Sequence, residues 1–256
     1  METLLRADAG PVRVLTLNDP RHRNALGLAM RVELAEAIEA AMADAAVRAI
    51  VLTGAEGTFC AGGDLSTMHR QTADEARPRL EAAQRVVRAI VDGPTPVVAA
   101  VEGFAIGAGL GIALACDRVV AASDARFITS FTRVGLVGDL GIFWSLPRRV
   151  GRARARQMLM LPTDVTGTDA VGLGLVDRVV EPGTVLEAAL EDAGRLAAGP
   201  PLALAAVKAM VNRGPTDVHD VLEHEIENQA AMFDTADFAE GLAALRDRRT
   251  PEFTGR

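Results

Sequence analysis

Two glycine-containing loops are where backbone chemistry could concentrate in this 256-residue chain. The first is Gly57-Thr-Phe-Cys-Ala-Gly-Gly-Asp-Leu65. The second spans Glu102–Gly111 and runs into the helical stretch Ile112–Ala115. Each follows a predicted strand. Glycine allows turns and close backbone approaches that other residues resist. A glycine turn that opens a helix leaves free N–H groups at the positive end of the helix dipole. Such amides hold an anion or a developing oxyanion. Tight turns and close helix packing are the plain alternative for both loops. A dinucleotide fingerprint fits badly, because Ile112 stands where its third glycine would fall and no phosphate-binding strand opens the chain.

The remaining reactive side chains offer less. Cys60 and Cys116 are far apart and form no CxxC, so they read as two reduced, buried thiols of a cytoplasmic protein. His219 and His224 fall on different faces of a helix, which argues against a metal pair, and no metal site is expected. No Ser-His-Asp spacing stands out. Asp117 reads as a buried structural hydrogen-bonding group and Asp64 as a cap for the helix after the first loop.

The elements that must position these loops alternate in type. Val12–Leu17 is β-branched and alternating, a strand, and Asn18-Asp-Pro20 turns the chain. Met30, Leu34, Ile38 and Met42 recur through Leu28–Asp44 with Glu33, Glu36 and Glu39 between them, an amphipathic helix. Ala49–Thr53, Pro96–Val101 and Arg118–Ala122 are short apolar runs that predict buried strands, and Leu80–Val91 predicts a helix. This order predicts an α/β fold with largely parallel pairing. The last third reads as helices over Thr184–Ala198, Pro201–Asn212, Asp217–Phe233 and Ala236–Arg246. A boundary is expected near Gly199-Pro200, giving a core of residues 1–198 and a helical region of 199–256.

Composition removes whole classes. The net charge is −7, which argues against sequence-independent nucleic-acid binding. The longest apolar stretch, near Gly103–Cys116, is short of the ~20 residues of a membrane span, so no membrane association is expected. The start of the chain has no basic-then-apolar signal pattern. The 27 basic residues are 26 arginines and one lysine, Lys208, a bias that a GC-rich, bacterial genome would produce.

The two loops together resemble the oxyanion-hole segments of the crotonase (enoyl-CoA hydratase/isomerase) superfamily. The resemblance runs nearly end to end. It includes Asn18-Asp-Pro-Arg-His-Arg-Asn-Ala-Leu26, Ala115-Cys-Asp117, Ala125-Arg-Phe127, Gly135-Leu-Val-Gly-Asp-Leu-Gly141, Leu146-Pro-Arg148 and the C-terminal Glu240-Gly-Leu and Arg248–Arg256. It implies an α/β spiral of ββα units with a C-terminal helical region that mediates trimer formation, as a homotrimer or a hexamer of stacked trimers. It implies an acyl-CoA substrate, with no cofactor beyond the thioester itself, and donor amides at Gly63 and Ala108. CoA contacts are implied at Arg21, Arg23, Ala25, Ala61, Asp64, Leu65 and Gly107. The terminal Phe253 and Arg256 are implied to cover the CoA of a neighbouring subunit.

Acid–base residues separate the reactions within this resemblance. A typical hydratase of the family carries two glutamates, where this chain has Gly111 and Phe131. Asp139 instead matches the aspartate of the isomerase kind, so double-bond isomerisation is favoured, with Phe131 in the acyl pocket. Leu140, Ile142, Phe143 and Trp144 are expected to desolvate Asp139 and raise its pKa. An N-cap role is the alternative for Asp139. Enoyl-CoA hydration and non-catalytic acyl-CoA binding are the alternatives for the whole chain.

Overall fold

The computed structural model describes residues 2–214 and 217–256. β1 (Leu4–Ala9) and β2 (Val12–Leu17) form an antiparallel hairpin. α1 (Leu28–Ala43) returns the chain to β3 (Ala49–Gly54), and α2 (Ala73–Asp92) to β4 (Val97–Val101). The short β5 (Phe104–Ile106) and α3 (Ala108–Ala115) follow, then β6 (Arg118–Ala122) and β7 (Arg126–Ile128). α4 (Ile142–Val150), α5 (Arg152–Met160), β8 (Asp164–Thr166), α6 (Gly167–Gly172) and β9 (Arg178–Val180) complete the sheet region. α7 (Val185–Ala197), α8 (Pro201–Arg213), α9 (Val218–Phe233) and α10 (Ala236–Asp247) end the chain.

One sheet runs in the order β1-β2-β3-β4-β6-β9 and a smaller one β5-β7-β8. Every pairing from β2 to β9 in the larger sheet is parallel, as the apolar runs predict. β4 is buried at all five positions, which a strand covered on both faces requires. β1 was not predicted; Leu4 is its one buried residue, so it lacks an apolar pattern. α2 starts earlier than its apolar stripe indicates because Thr72 and Glu75 form a reciprocal capping box.

α7 lies across the larger sheet, with Ala188, Ala189 and Ala193 buried against it. α8 is pinned to the sheet region by side chains from its inner face. The lone lysine, Lys208, is buried; its Nζ donates to the Thr95 carbonyl at 2.9 Å and pairs with Asp117 at 2.8 Å. Asp117 also accepts the Val97 N–H at 2.7 Å, the hydrogen-bonding role expected of it, but the residue is exposed rather than buried. Asn212 reaches the Val91 carbonyl, and Arg48 donates to the carbonyls of Gly199 and Phe253. Among the described residues no helix is long and apolar enough to cross a membrane, and no group of acidic, histidine or cysteine side chains has the arrangement of a metal site.

Candidate active site

Register brings the two glycine loops together. Phe59-Cys60 runs beside β5: the Cys60 N–H donates to Phe104 at 2.8 Å and the Ile106 N–H donates to Cys60 at 3.0 Å. Cys60 and Ala105 are thereby bridged in parallel. Gly63 and Ala108 each lie three positions beyond that bridge, so the pairing sets them side by side. Gly109 allows the close approach: a Cβ there would stand 2.5 Å from the Cys60 carbonyl oxygen. Ala108 is the first residue of α3, where an N–H has no partner within the helix. Among the described residues, neither the Gly63 nor the Ala108 amide donates to a backbone or side-chain acceptor. Both border one cavity of about 480 Å³.

Asp139 borders the same cavity. It does not cap α4, whose N-cap is Gly141; the capping alternative is set aside. Leu140 is buried with a left-handed backbone, φ 52°, a conformation that costs a non-glycine residue about 1–2 kcal/mol. Such strain persists only where packing over-determines it. Here Leu140 rests on Gly111, where an added Cβ would lie 2.9 Å from the Leu140 Cβ and 3.4 Å from the Asp139 carbonyl. The segment carrying Asp139 thus fills the space that a side chain at position 111 would need.

Asp139 Oδ1 is buried without a hydrogen-bond partner. Burial pushes its pKa above the ordinary carboxylate value, while Arg31 and Arg79 pull against that shift. Of the four neighbours expected to desolvate it, Leu140 and Ile142 are buried, but Phe143 is exposed and Trp144 stacks under Arg148 at 4.3 Å. Phe131 is buried between the loops, near both Gly107 and Gly138. Cys60 and Cys116 are free, buried thiols whose pKa burial pushes up to about 12, so neither is a ready nucleophile.

The cavity gathers Asp139, Gly63, Ala108, Ala61, Leu65, Gly107 and Phe131 from the residues expected to act. Asp64 stands beside it as a cap, accepting from the Ser66 N–H at 3.0 Å. Arg21, Arg23 and the buried Ala25 lie on the adjoining loop, which is tied to the first glycine loop through Leu26 N–H to Gly62 and Ala61 N–H to Arg23. Buried Asn24 fastens the same loop to the Ala55 and Thr58 carbonyls. Phe253 and Arg256 lie elsewhere within this chain. Phe253 sits in a groove of the terminal helices beside Gly241. Buried Asp237 accepts the N–H groups of Thr254 and Gly255, and its own N–H donates to the Arg256 carbonyl.

Sequence reasoning missed Arg31, which is 2% exposed and borders the cavity. The signal was present: Arg31, Leu34, Ala35 and Ile38 share the i, i+3, i+4, i+7 face of α1 and all are buried. A charge on that face has to have a reason to be there.

Comparison with known proteins decides the family. Residues 8–256 match the profile described as enoyl-CoA hydratase/isomerase. The chain belongs to the enoyl-CoA hydratase/isomerase family. It is 35% identical over 261 residues to the 1,2-epoxyphenylacetyl-CoA isomerase of Escherichia coli, covering 100% of both chains. It is 34% identical over 254 residues to the crotonyl-CoA hydratase of Syntrophomonas wolfei, covering 98% of each. Among solved structures, an enoyl-CoA hydratase from Polaromonas sp. JS666 superimposes with a TM-score of 0.94 at 37% identity, covering 98% of this chain and 99% of that one. Within this family the fold is the expected one, and the cavity bounded by Gly63, Ala108 and Asp139 is the candidate active site of an enoyl-CoA isomerase or hydratase.

Proposed function

We propose that this family member moves the double bond of an enoyl-CoA thioester, with Asp139 as the proton carrier. The supporting observation is that Asp139 is the single carboxylate bordering the cavity among the described residues. Isomerisation needs one group that takes a proton from C2 and returns it to C4, with the charge held on the thioester oxygen in between. The Gly63 and Ala108 amides are placed to hold that oxygen, each worth about 3–4 kcal/mol to the transition state. Hydration needs a second group to hold and deprotonate water. The positions where hydratases of the family are expected to carry glutamates are Gly111, which has no room for a side chain, and Phe131, which has no proton to exchange. Hydration remains the second reading, favoured by the name of the crotonyl-CoA hydratase relative.

Arg21 and Arg23 are exposed next to the first loop and suit the CoA phosphates. The terminal helices present Val207, Val211, Val218, Leu222 and Ile226 to solvent, an apolar surface that supports assembly into trimers.

The test uses 3-hexenoyl-CoA and crotonyl-CoA with the purified protein. Isomerisation is expected to exceed hydration, and Asp139→Asn to lower it by about 10²–10⁴. Faster hydration of crotonyl-CoA, or full isomerisation by the variant, sinks the assignment. Tight binding without either turnover would return the non-catalytic alternative.

A further inference from the structure

The cavity wall holds more positive charge than Asp139 balances. The Arg31 guanidinium is fixed by two carbonyls: Nε donates to Leu26 at 3.1 Å and Nη1 to Arg79 at 3.3 Å. Its Nη2 makes no hydrogen bond or ion pair with another described residue, and lies 3.6 Å from where a Cβ on Gly63 would stand. Arg79, whose carbonyl holds Arg31, keeps its own Nη2 buried without a partner. That nitrogen and Asp139 Oδ1 are the only buried side-chain polar atoms lacking a partner among the described residues. Arg31 and Arg79 are both near enough to Asp139 to pull its pKa down, yet neither arginine forms an ion pair with it within 4.0 Å. Arg133 also borders the cavity, with its Nη2 occupied by the Pro162 carbonyl.

Buried polar atoms go unpaired at a cost and need a reason to persist, and Arg31, 2% exposed, keeps Nη2 as a free donor at the cavity it borders. The rest of the wall near Gly63 is apolar, with the Met68 methyl, Leu80 and Ile106 around it. A plain hydrocarbon acyl chain would leave the free guanidinium nitrogen unanswered. We infer that Arg31 selects acyl groups bearing a carboxylate a few bonds from the thioester, the monothioesters of short dicarboxylic acids. This rests on the thioester being held by Gly63 and Ala108 as proposed above. The anion accepts from Arg31 Nη2 through a charge-assisted hydrogen bond.

Three saturated thioesters of matched shape test this by calorimetric titration without any turnover: glutaryl-CoA, 5-oxohexanoyl-CoA and 5-methylhexanoyl-CoA. Glutaryl-CoA is expected to bind about tenfold to a hundredfold more tightly than the hydrocarbon, with the neutral ketone weaker than the carboxylate. In Arg31→Met the preference for glutaryl-CoA is expected to vanish, and in Arg31→Lys to survive in part. Equal binding of all three by the native protein overturns the inference whatever the variants do. So does a ketone that matches the carboxylate, or a preference unchanged in Arg31→Met. Binding of none of them overturns the acyl-CoA reading itself, whereas a carboxylate preference without isomerase activity leaves the selection standing and removes the reaction.

Discussion

Asp139 carries opposing consequences for activity and stability. Its pKa is raised in the folded chain, so between the unfolded value, about 3.9, and the raised one the folded state binds more protons. Stability then falls as pH rises through that window and stays lowered above it. Asp139→Asn is therefore expected to be more stable than the native protein at neutral pH. The difference should close as pH drops below the unfolded value, which urea midpoints across pH would show; a pH-independent difference contradicts this. Activity runs the other way, because proton removal from C2 requires the carboxylate. The acid limb of kcat/KM is expected above the ordinary carboxylate range. Because Arg31 holds the Asp139 pKa down, Arg31→Met is expected to move that limb to higher pH, and an unmoved limb would separate the two groups. Neither effect could be read from the sequence. Asp139 was found there by its resemblance alone, and the place of Arg31 on the buried face of α1 does not tell which carboxylate it meets.

At the scale of elements, the pairing of Cys60 with Ala105 is what makes two loops into one site. Both loops were visible as glycine clusters, yet their mutual register depends on β5, a three-residue strand in the smaller sheet. Strands that short carry too little pattern to be recognised. α3 then rests directly on the first loop at Gly109. Gly109→Ala would drive a methyl into the Cys60 carbonyl, forcing the helix away. It is expected to cost about 1–3 kcal/mol of stability and to lower kcat, because the two amides separate. CoA itself, contacted by other loops, should bind nearly as before. A variant with native kcat would show that the spacing of Gly63 and Ala108 does not control the reaction.

Across the whole molecule, the terminal helices join the sheet region through a few polar clips and expose apolar faces elsewhere. Lys208, Asn212 and Arg48 fix α8 and the final segment, while Val207, Val211, Leu222 and Ile226 remain uncovered. Sedimentation is expected to give about three times the 26.9 kDa chain mass, or a multiple of that trimer. Val211→Asp, at 70% exposure in the single chain, should shift the protein toward monomer without unfolding it, and a native monomer would refute the assembly. Phe253 sits in the groove of the terminal helices and Asp237 locks the last residues, and neither Phe253 nor Arg256 lines this chain's own cavity.

The sequence by itself determined the parallel strands, the long helices, the two amide-bearing loops and the family, because these depend on local periodicity, on glycine placement and on the order of short segments. Only the tertiary structure decided which residues share a cavity. It showed that Gly111 is bare because Leu140 lies on it. It also showed that Asp139 lies free of the helix cap and that two arginines approach it without pairing. Those facts depend on contacts between segments distant in the chain, where burial sets the energy of a charge and no local pattern records it.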